Sequence, residues 1–278
     1  MELRTLTRED IPELLSTING AFADYIVPFQ LNAEQLAFKM STEDIVPEHS
    51  TGAFEAGKMV ACIMHGLRAT GGKLLAYNAG TGVLPEWRGK GLVSKMYDHL
   101  LPFLKEQGVK ELVLEVIESN QAAIRAYEKN GFSIRRKLLC FGGTLPASAT
   151  HGQYTVLPLE KPDWDMLQAF SDIEPAWQNA IATMEKIMPT ALGAFAGSEL
   201  AGYILFNADR KRLYQLAVAP RHRRKGAATQ LLSQMSQALP QEKIQCNNVD
   251  EAATGLKIFL EKQGLVNEIN QFEMGKDL

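Results

Sequence analysis

Cysteine is scarce in this chain of 278 residues, with Cys62, Cys140 and Cys246 its only three. They are scattered, odd in number and never spaced C-x-x-C, which argues against a disulfide framework or a zinc site and leaves reduced, half-buried thiols. The five histidines form no H-x-x-x-H or H-E-x-x-H pair, so no metal is expected. An excess of one charge is missing as well. The net charge is −3 with 22% charged residues, and no basic tail or acidic block points to nucleic acid or a membrane surface. No apolar run approaches the ~20 residues that a spanning helix needs, and the opening MELRTLTRED carries no apolar signal core. These absences leave the expectation of a cytoplasmic protein with neither a membrane nor a nucleic-acid partner.

What is present is a repeat. GAFEAGKMVACIM (Gly52 to Met64) returns as GAFAGSELAGYIL (Gly193 to Leu205), and TGVLPEWRGKGLVSKMYDHLL from Thr81 is echoed by LAVAPRHRRKGAATQLLSQMS from Leu216. Val83 and Gly91 keep the same separation as Val218 and Gly226. AYEKNGF (Ala126 to Phe132) returns as FLEKQGL (Phe259 to Leu265), and LRTLTREDIPELL from Leu3 rhymes with VLPLEKPDWDMLQ from Val156. Four matched blocks in one order imply a tandem of two related domains, 1–150 and 151–278, joined near the small, polar stretch from Gly142 to Gln153.

Each half reads as a short strand, a helix from near Asp10 or Asp163, strands around Gly52 to Leu67 and Lys73 to Leu84, and a helix from Leu92. A strand at Glu111 to Ile117, a helix at Gln121 to Asn130 and a last strand from Phe132 follow. Leu92, Met96, Leu100 and Leu104, with Tyr97 and Leu101 beside them, form one apolar helix face. Pro102 should kink that helix or loosen its last turn, and Gly131 stands where a left-handed helix end is expected. Mixed α and β elements in this alternation predict an α/β fold, a mixed sheet covered by helices on both faces.

The turn Arg88-Gly89-Lys90-Gly91 opens the helix from Leu92, and bared amides at a helix N-terminus favour an anion. Lys90 is followed by Gly91, which rules out a Walker A loop, and no third glycine completes G-x-G-x-x-G. Arg88 to Val93, followed by Leu114-Glu115-Val116, Asn120, Ala123, Tyr127 and Gly131-Phe132, resembles the GNAT superfamily of acyl-CoA-dependent N-acetyltransferases, with its loop [QR]-x-x-G-x-[GA]. Val93 departs from that pattern, standing where Gly or Ala is usual. The resemblance covers most of both halves. It implies two tandem GNAT-like domains, acetyl-CoA as cosubstrate, and a pyrophosphate held by Arg88, Gly89, Lys90, Gly91, Leu92 and Val93.

The resemblance also implies that the strand carrying Ala79 to Val83 splays from its neighbour and offers the main chain of Thr81, Gly82 and Val83 to pantetheine. Gly80 and Gly82 there suggest a bulge or a close backbone approach. Asn120 either meets the pantetheine arm or caps the helix that carries Ala123. Acyl transfer to an amine needs a proton for the departing thiolate and an acceptor for the amine proton. Tyr127 is the candidate acid and Glu115 the candidate base, since a carboxylate inside a largely buried strand is costly without a partner or a task. A structural, hydrogen-bonding carboxylate is the other reading of Glu115.

In the second half, Leu260 stands where Tyr127 does, and IQCNNV puts Asn247 or Asn248 in place of Glu115. Its loop, Arg223 to Ala228, fits the phosphate pattern fully. The expected division is an active first domain and a degenerate second one, whose RHRRK run either holds acyl-CoA without turnover or is a solvated basic face, the latter preferred. Phe22, Tyr25, Phe29 and Phe38 are candidates to line an acceptor pocket, or are core. Two functions stay open: an N-acetyltransferase acting on a small amine or a protein amino group, and a non-catalytic acyl-CoA sensor or interaction module.

Overall fold

The computed structural model describes residues 1–146 and 152–278 and separates into two compact units. Unit 1 comprises Met1–Arg136 and Phe272–Leu278, and unit 2 comprises Lys137–Gln271. The anticipated division at 150/151 falls among residues outside the described set. The boundaries found are non-local. They cut two strands, because grouping follows which backbone pairs with which, and local sequence pattern does not encode that.

Unit 1 runs β1 (Glu2–Thr5), α1 (Ile11–Ala21), α2 (Ala33–Glu43), β2 (Thr51–Glu55), β3 (Lys58–Thr70), β4 (Lys73–Val83), α3 (Leu92–Glu106), β5 (Val109–Ile117), α4 (Gln121–Lys129) and the start of β6 (Ser133–Thr144). Strands β1 to β4 form an antiparallel meander, and β5 joins β4 in parallel. The parallel step needs a crossover, and α3 supplies it. Its Leu92, Met96, Tyr97, Leu100 and Leu104 pack with Ile63, Ala76, Leu112, Leu114, Ile124 and Phe132 on one face of the sheet. Leu14 and Ile18 of α1 and Leu36 of α2 pack with Phe54, Cys62 and Met64 on the other. Pro102 sits exposed within α3, which continues to Glu106.

Helix α2 falls in a segment read above only for its aromatics. Its signal is the capping box Asn32-x-x-Gln35, in which each side chain takes the other's backbone amide at 2.8 and 2.9 Å. Helix α1 is anchored by Asp10, which accepts two bonds from Arg4 at 2.6 and 2.7 Å and one from the Thr7 amide at 2.7 Å. Led by the Arg4 bonds, these partners hold the Asp10 carboxyl down to about 2.

Unit 2 repeats the plan with β7 (Thr155–Pro158), α5 (Trp164–Gln168), α6 (Ile181–Ile187), β8 (Thr190–Ala196), β9 (Glu199–Asn207), β10 (Arg212–Val218), α7 (Ala227–Ala238), β11 (Lys243–Asp250), α8 (Thr254–Lys262) and β12 (Val266–Asp277) up to Gln271. Residues Lys137 onward of β6 pair with β11 inside unit 2. In return, the last residues of β12 lie beside β5 in unit 1, where Met274 is fully buried and the Leu278 amide donates to the Lys110 carbonyl at 2.9 Å. Each unit's closing strand therefore comes from the chain that has already left the other.

Candidate active site

The helix that opens at Leu92 has Gly91 at its N-cap with φ 71°, and no side chain among the described residues caps it. Gly89 is also left-handed, at φ 74°, and a Cβ on either glycine would meet open space. Uncapped amides at a helix N-terminus beside a cleared surface fit a phosphate group. Val93 does not intrude, because its side chain packs toward the α3 core, and Leu92 is buried there too. Lys90 lies over the Trp87 ring at 4.2 Å. Arg88, expected to supply charge to the phosphates, has partners within the protein. Its guanidinium is taken up by Asp24 at 2.7 Å on each oxygen, by the Ala21 carbonyl at 2.9 Å and by the Val83 carbonyl at 3.3 Å.

Strand β4 bulges at Ala79, between the pairs His65↔Asn78 and Met64↔Gly80. Its parallel pairing with β5 runs only as far as Asn78↔Leu114. Past that point the two strands separate, and the main chain of Thr81, Gly82 and Val83 faces the gap without a ladder partner in β5. The glycines also serve packing, since a Cβ on Gly82 would come within 3.0 Å of Ala21 and one on Gly80 within 2.9 Å of Met64.

Tyr77 and Asn78, adjacent on β4, point to opposite faces at the head of this gap. On one face Tyr77 donates to Oε2 of Glu115, the residue that follows Leu114, while Oε1 of Glu115 is buried and has no partner among the described residues. Burial, reinforced by the Glu273 and Glu43 carboxylates, pushes the Glu115 carboxyl up to about 7 against the Tyr77 bond and Lys39. Glu273 and Glu43 are themselves paired, with Arg136 at 2.7 Å and Lys39 at 2.5 Å. On the other face the Asn78 amide donates to the Thr81 hydroxyl and the Tyr97 hydroxyl, both at 2.8 Å. Tyr127 of α4 adjoins this cluster. Its phenol is buried and pushed up to about 12, an effect that the Thr81 and Asn78 side chains oppose.

Helix α4 holds Tyr127 in place from both ends. Asn120 caps it by accepting the Ala123 amide at 3.1 Å, which realises the capping role of that residue and occupies the Ala123 N–H. Gly131, at φ 84°, closes it with the Gly131 amide on Glu128 and the Phe132 amide on Tyr127, and the Phe132 ring stands edge-on to Tyr127 at 5.8 Å. Of the four aromatics proposed for an acceptor pocket, Phe22, Tyr25 and Phe29 cluster on the α1–α2 segment, with ring centroids 4.7 and 5.0 Å apart. Tyr25 meets Asn120, and burial raises its phenol. Phe38 lies half-buried on α2. Reading the residues had missed Tyr77, Asn78 and Asp24. An asparagine inside a strand, where that residue is depleted, was the available hint for Asn78.

In unit 2 the loop has Gly226 at φ 93° and a non-glycine, Arg224, at φ 62°. Residues Asp172, Arg223, Arg224, Gly226 and Ala228, with Thr254 and Phe259 of α8, line a groove of about 530 Å³. Within RHRRK, Arg221, Arg224 and Lys225 are exposed, in keeping with the preferred reading of a solvated face, while Arg223 pairs with Asp172 and His222 with Glu199, both at 2.7 Å. Leu260 is fully buried, and α8 closes through the Leu265 amide on its carbonyl, as α4 closes through Phe132 on Tyr127. Among the described residues no group of three His, Cys, Asp or Glu side chains is placed to hold a metal, and no helix is long and apolar enough to cross a membrane.

Comparison with known proteins adds three findings. The family model for the acetyltransferase (GNAT) family matches residues 17–132, and an acetyltransferase (GNAT) domain model matches 161–274. N-alpha-acetyltransferase 30 of Schizosaccharomyces pombe is 35% identical over 68 residues, which span 24% of this chain and 45% of that protein, less than half its length. Among solved structures, a GCN5-related N-acetyltransferase from Sphaerobacter thermophilus superposes with a TM-score of 0.76 at 14% identity, covering 99% of this chain and 95% of that one. A tandem GNAT protein from the clavulanic acid biosynthesis pathway gives 0.70 at 14% identity, covering 99% and 98%. At such identities the structures establish the fold.

Proposed function

Because this chain belongs to the GNAT acetyltransferase family in both of its units, we propose that unit 1 transfers an acetyl group from acetyl-CoA to a primary amine of a small molecule or protein. The observation that carries this reading is the gap past Asn78↔Leu114, with an unpaired carboxylate oxygen on one face and a buried phenol cluster on the other. A thioester in that gap presents its carbonyl carbon to an amine on the Glu115 face and its sulfur to the Tyr127 face.

Glu115 takes the amine proton, and a carboxyl near 7 is matched to that task at neutral pH. The C–N bond forms as the C–S bond breaks. Tyr127, near 12, is protonated throughout the working range, so it arrives as a donor. A thiolate of reference pKa ~8.5 is a weaker base than that phenolate by roughly three units. Tyr127 therefore supplies a hydrogen bond to the sulfur as charge develops, and solvent completes protonation after release. The amides of Gly89 to Val93, with Lys90 nearby, hold the pyrophosphate.

The test is titration calorimetry with acetyl-CoA, followed by a screen of amines for thiol release. Tyr127→Phe should keep binding and lose turnover; turnover at the wild-type rate on a verified acceptor would overturn the assignment of Tyr127.

A second reading concerns unit 2. Its groove combines the phosphate-type loop with Leu260 in place of the phenol, which suits holding acyl-CoA without turnover. Two sites per chain in the titration would support it, and one site abolished by Gly91→Val would oppose it.

A further inference from the structure

The first position of the phosphate loop is spent on something other than phosphate, and it is spent the same way twice. Arg88 uses four of its five N–H donors on Asp24, the Ala21 carbonyl and the Val83 carbonyl. Arg223 repeats the pattern on Asp172 at 2.7 and 3.1 Å, the Phe170 carbonyl at 3.2 Å and the Val218 carbonyl at 2.9 Å. In both, the partners are the last residue of the strand before the loop and a segment from the helical layer on the sheet's other face. An isolated surface pair is worth little, but a bidentate fork that also takes two carbonyls fixes geometry.

In unit 1 the far end of this fork carries the acceptor-side aromatics. Ala21 ends α1, Asp24 follows it, and the segment from Phe22 to Leu31 is closed by Asn19, whose side chain exchanges two 2.8 Å bonds with the Leu31 backbone. Tyr25 of that segment reaches Asn120, the cap of the helix that bears Tyr127. The near end of the fork is Arg88 itself, next to Gly89, where the anion-binding amides begin.

We propose that Arg88 is a positioning residue that couples the two halves of the site. Occupancy of the Gly89 to Val93 amides is transmitted through the Arg88–Asp24 fork to the Phe22–Leu31 segment, which holds Tyr25 on Asn120 more firmly once the acetyl donor is in place. The fork persists in unit 2, where Leu260 stands in place of the phenol, so its task is distinct from proton transfer. The coupling rests on the reading of unit 1 as an acetyl-CoA site, and coupling of this kind is reciprocal.

The experiment is backbone amide exchange of residues 22–31 with and without acetyl-CoA, with affinity measured in parallel by calorimetry. In the wild type, acetyl-CoA should slow exchange there by about tenfold. Asp24→Asn should leave the acetyl-CoA Kd within about threefold while reducing that protection to less than about twofold. Asp172→Asn in unit 2 should leave protection of 22–31 unchanged.

Full protection in Asp24→Asn overturns the coupling. So does an Arg88→Gln variant that loses affinity tenfold or more while Asp24→Asn loses none, because Arg88 would then be a phosphate ligand. Binding to the wild type without protection of 22–31 sinks the coupling alone; absence of any acetyl-CoA binding sinks the functional reading and the coupling together.

Discussion

Unit 1 and unit 2 share a loop, a fork and a helix closure, and they differ in what fills the space between. Where α4 ends on Tyr127 and Phe132, α8 ends on Leu260 and Leu265, with the same pair of backbone bonds in both. A phenol in that position is costly, since its hydroxyl is buried and must be met by Thr81 and Asn78. A leucine needs no such partners, and in unit 2 the position has become plain core. The loop does not follow this difference: Gly226 has the same left-handed turn as Gly91, and Arg223 makes the same fork as Arg88. The loop turn with its fork and the buried phenol are thus separable in this fold, carried by different elements.

The comparison can be broken most forcefully at Tyr127. Tyr127→Phe should lower kcat by about a hundredfold or more with acetyl-CoA affinity kept, while Leu260→Phe in unit 2 should leave kcat unchanged; steady-state kinetics and calorimetry on both variants check this. Next in size is a stability effect at Glu115. Its folded carboxyl stands near 7 against a reference of ~4.3, so ionisation penalises the folded state above the unfolded pKa, and the full penalty is present above pH 7. Glu115→Gln should therefore stabilise the protein by up to about 3 kcal/mol at pH 8 and by much less at pH 5, as read by denaturant unfolding. Activity of the wild type should rise through about pH 7 as the base is unmasked.

A smaller effect sharpens which loop binds. Gly91→Val places a β-branched residue at φ 71° and a side chain in the cleared space, and should weaken acetyl-CoA binding about tenfold. Gly226→Val should matter less if unit 1 is the working site, and calorimetry on the two variants decides. The smallest contrast lies in the caps. Asn120 caps α4, while α8 begins at Ala253 with no side-chain cap. Asn120→Ala should cost about 1 kcal/mol, and Ala253→Asn should gain up to that amount, both measurable by thermal unfolding.

The tandem plan, the α3 face from Leu92 to Leu104, the bulge near Gly80 and the helix end at Gly131 were legible in the sequence because each is written within a few neighbouring residues. The fork made by Arg88 was not legible, for the opposite reason. Its partner Asp24 lies 64 residues away, and a motif position carries no mark of which way its side chain turns. Glu115 and Tyr127 were legible as residue types in a pattern, yet the unpaired Oε1 and the Asn78 cluster between β4 and β5 exist only once the strands part. Helix α2 is written in the sequence by its capping box, Asn32-x-x-Gln35, rather than by its aromatics.

Strand β6 ends in unit 2 and β12 ends in unit 1. On the ribosome, where the chain emerges from its first residue onward, unit 1 waits for Phe272 to Leu278 before the strand beside β5 is in place. The half of the protein that is made first is thus completed last, and the edge of β5 must be kept from other partners for the whole time that unit 2 is being synthesised.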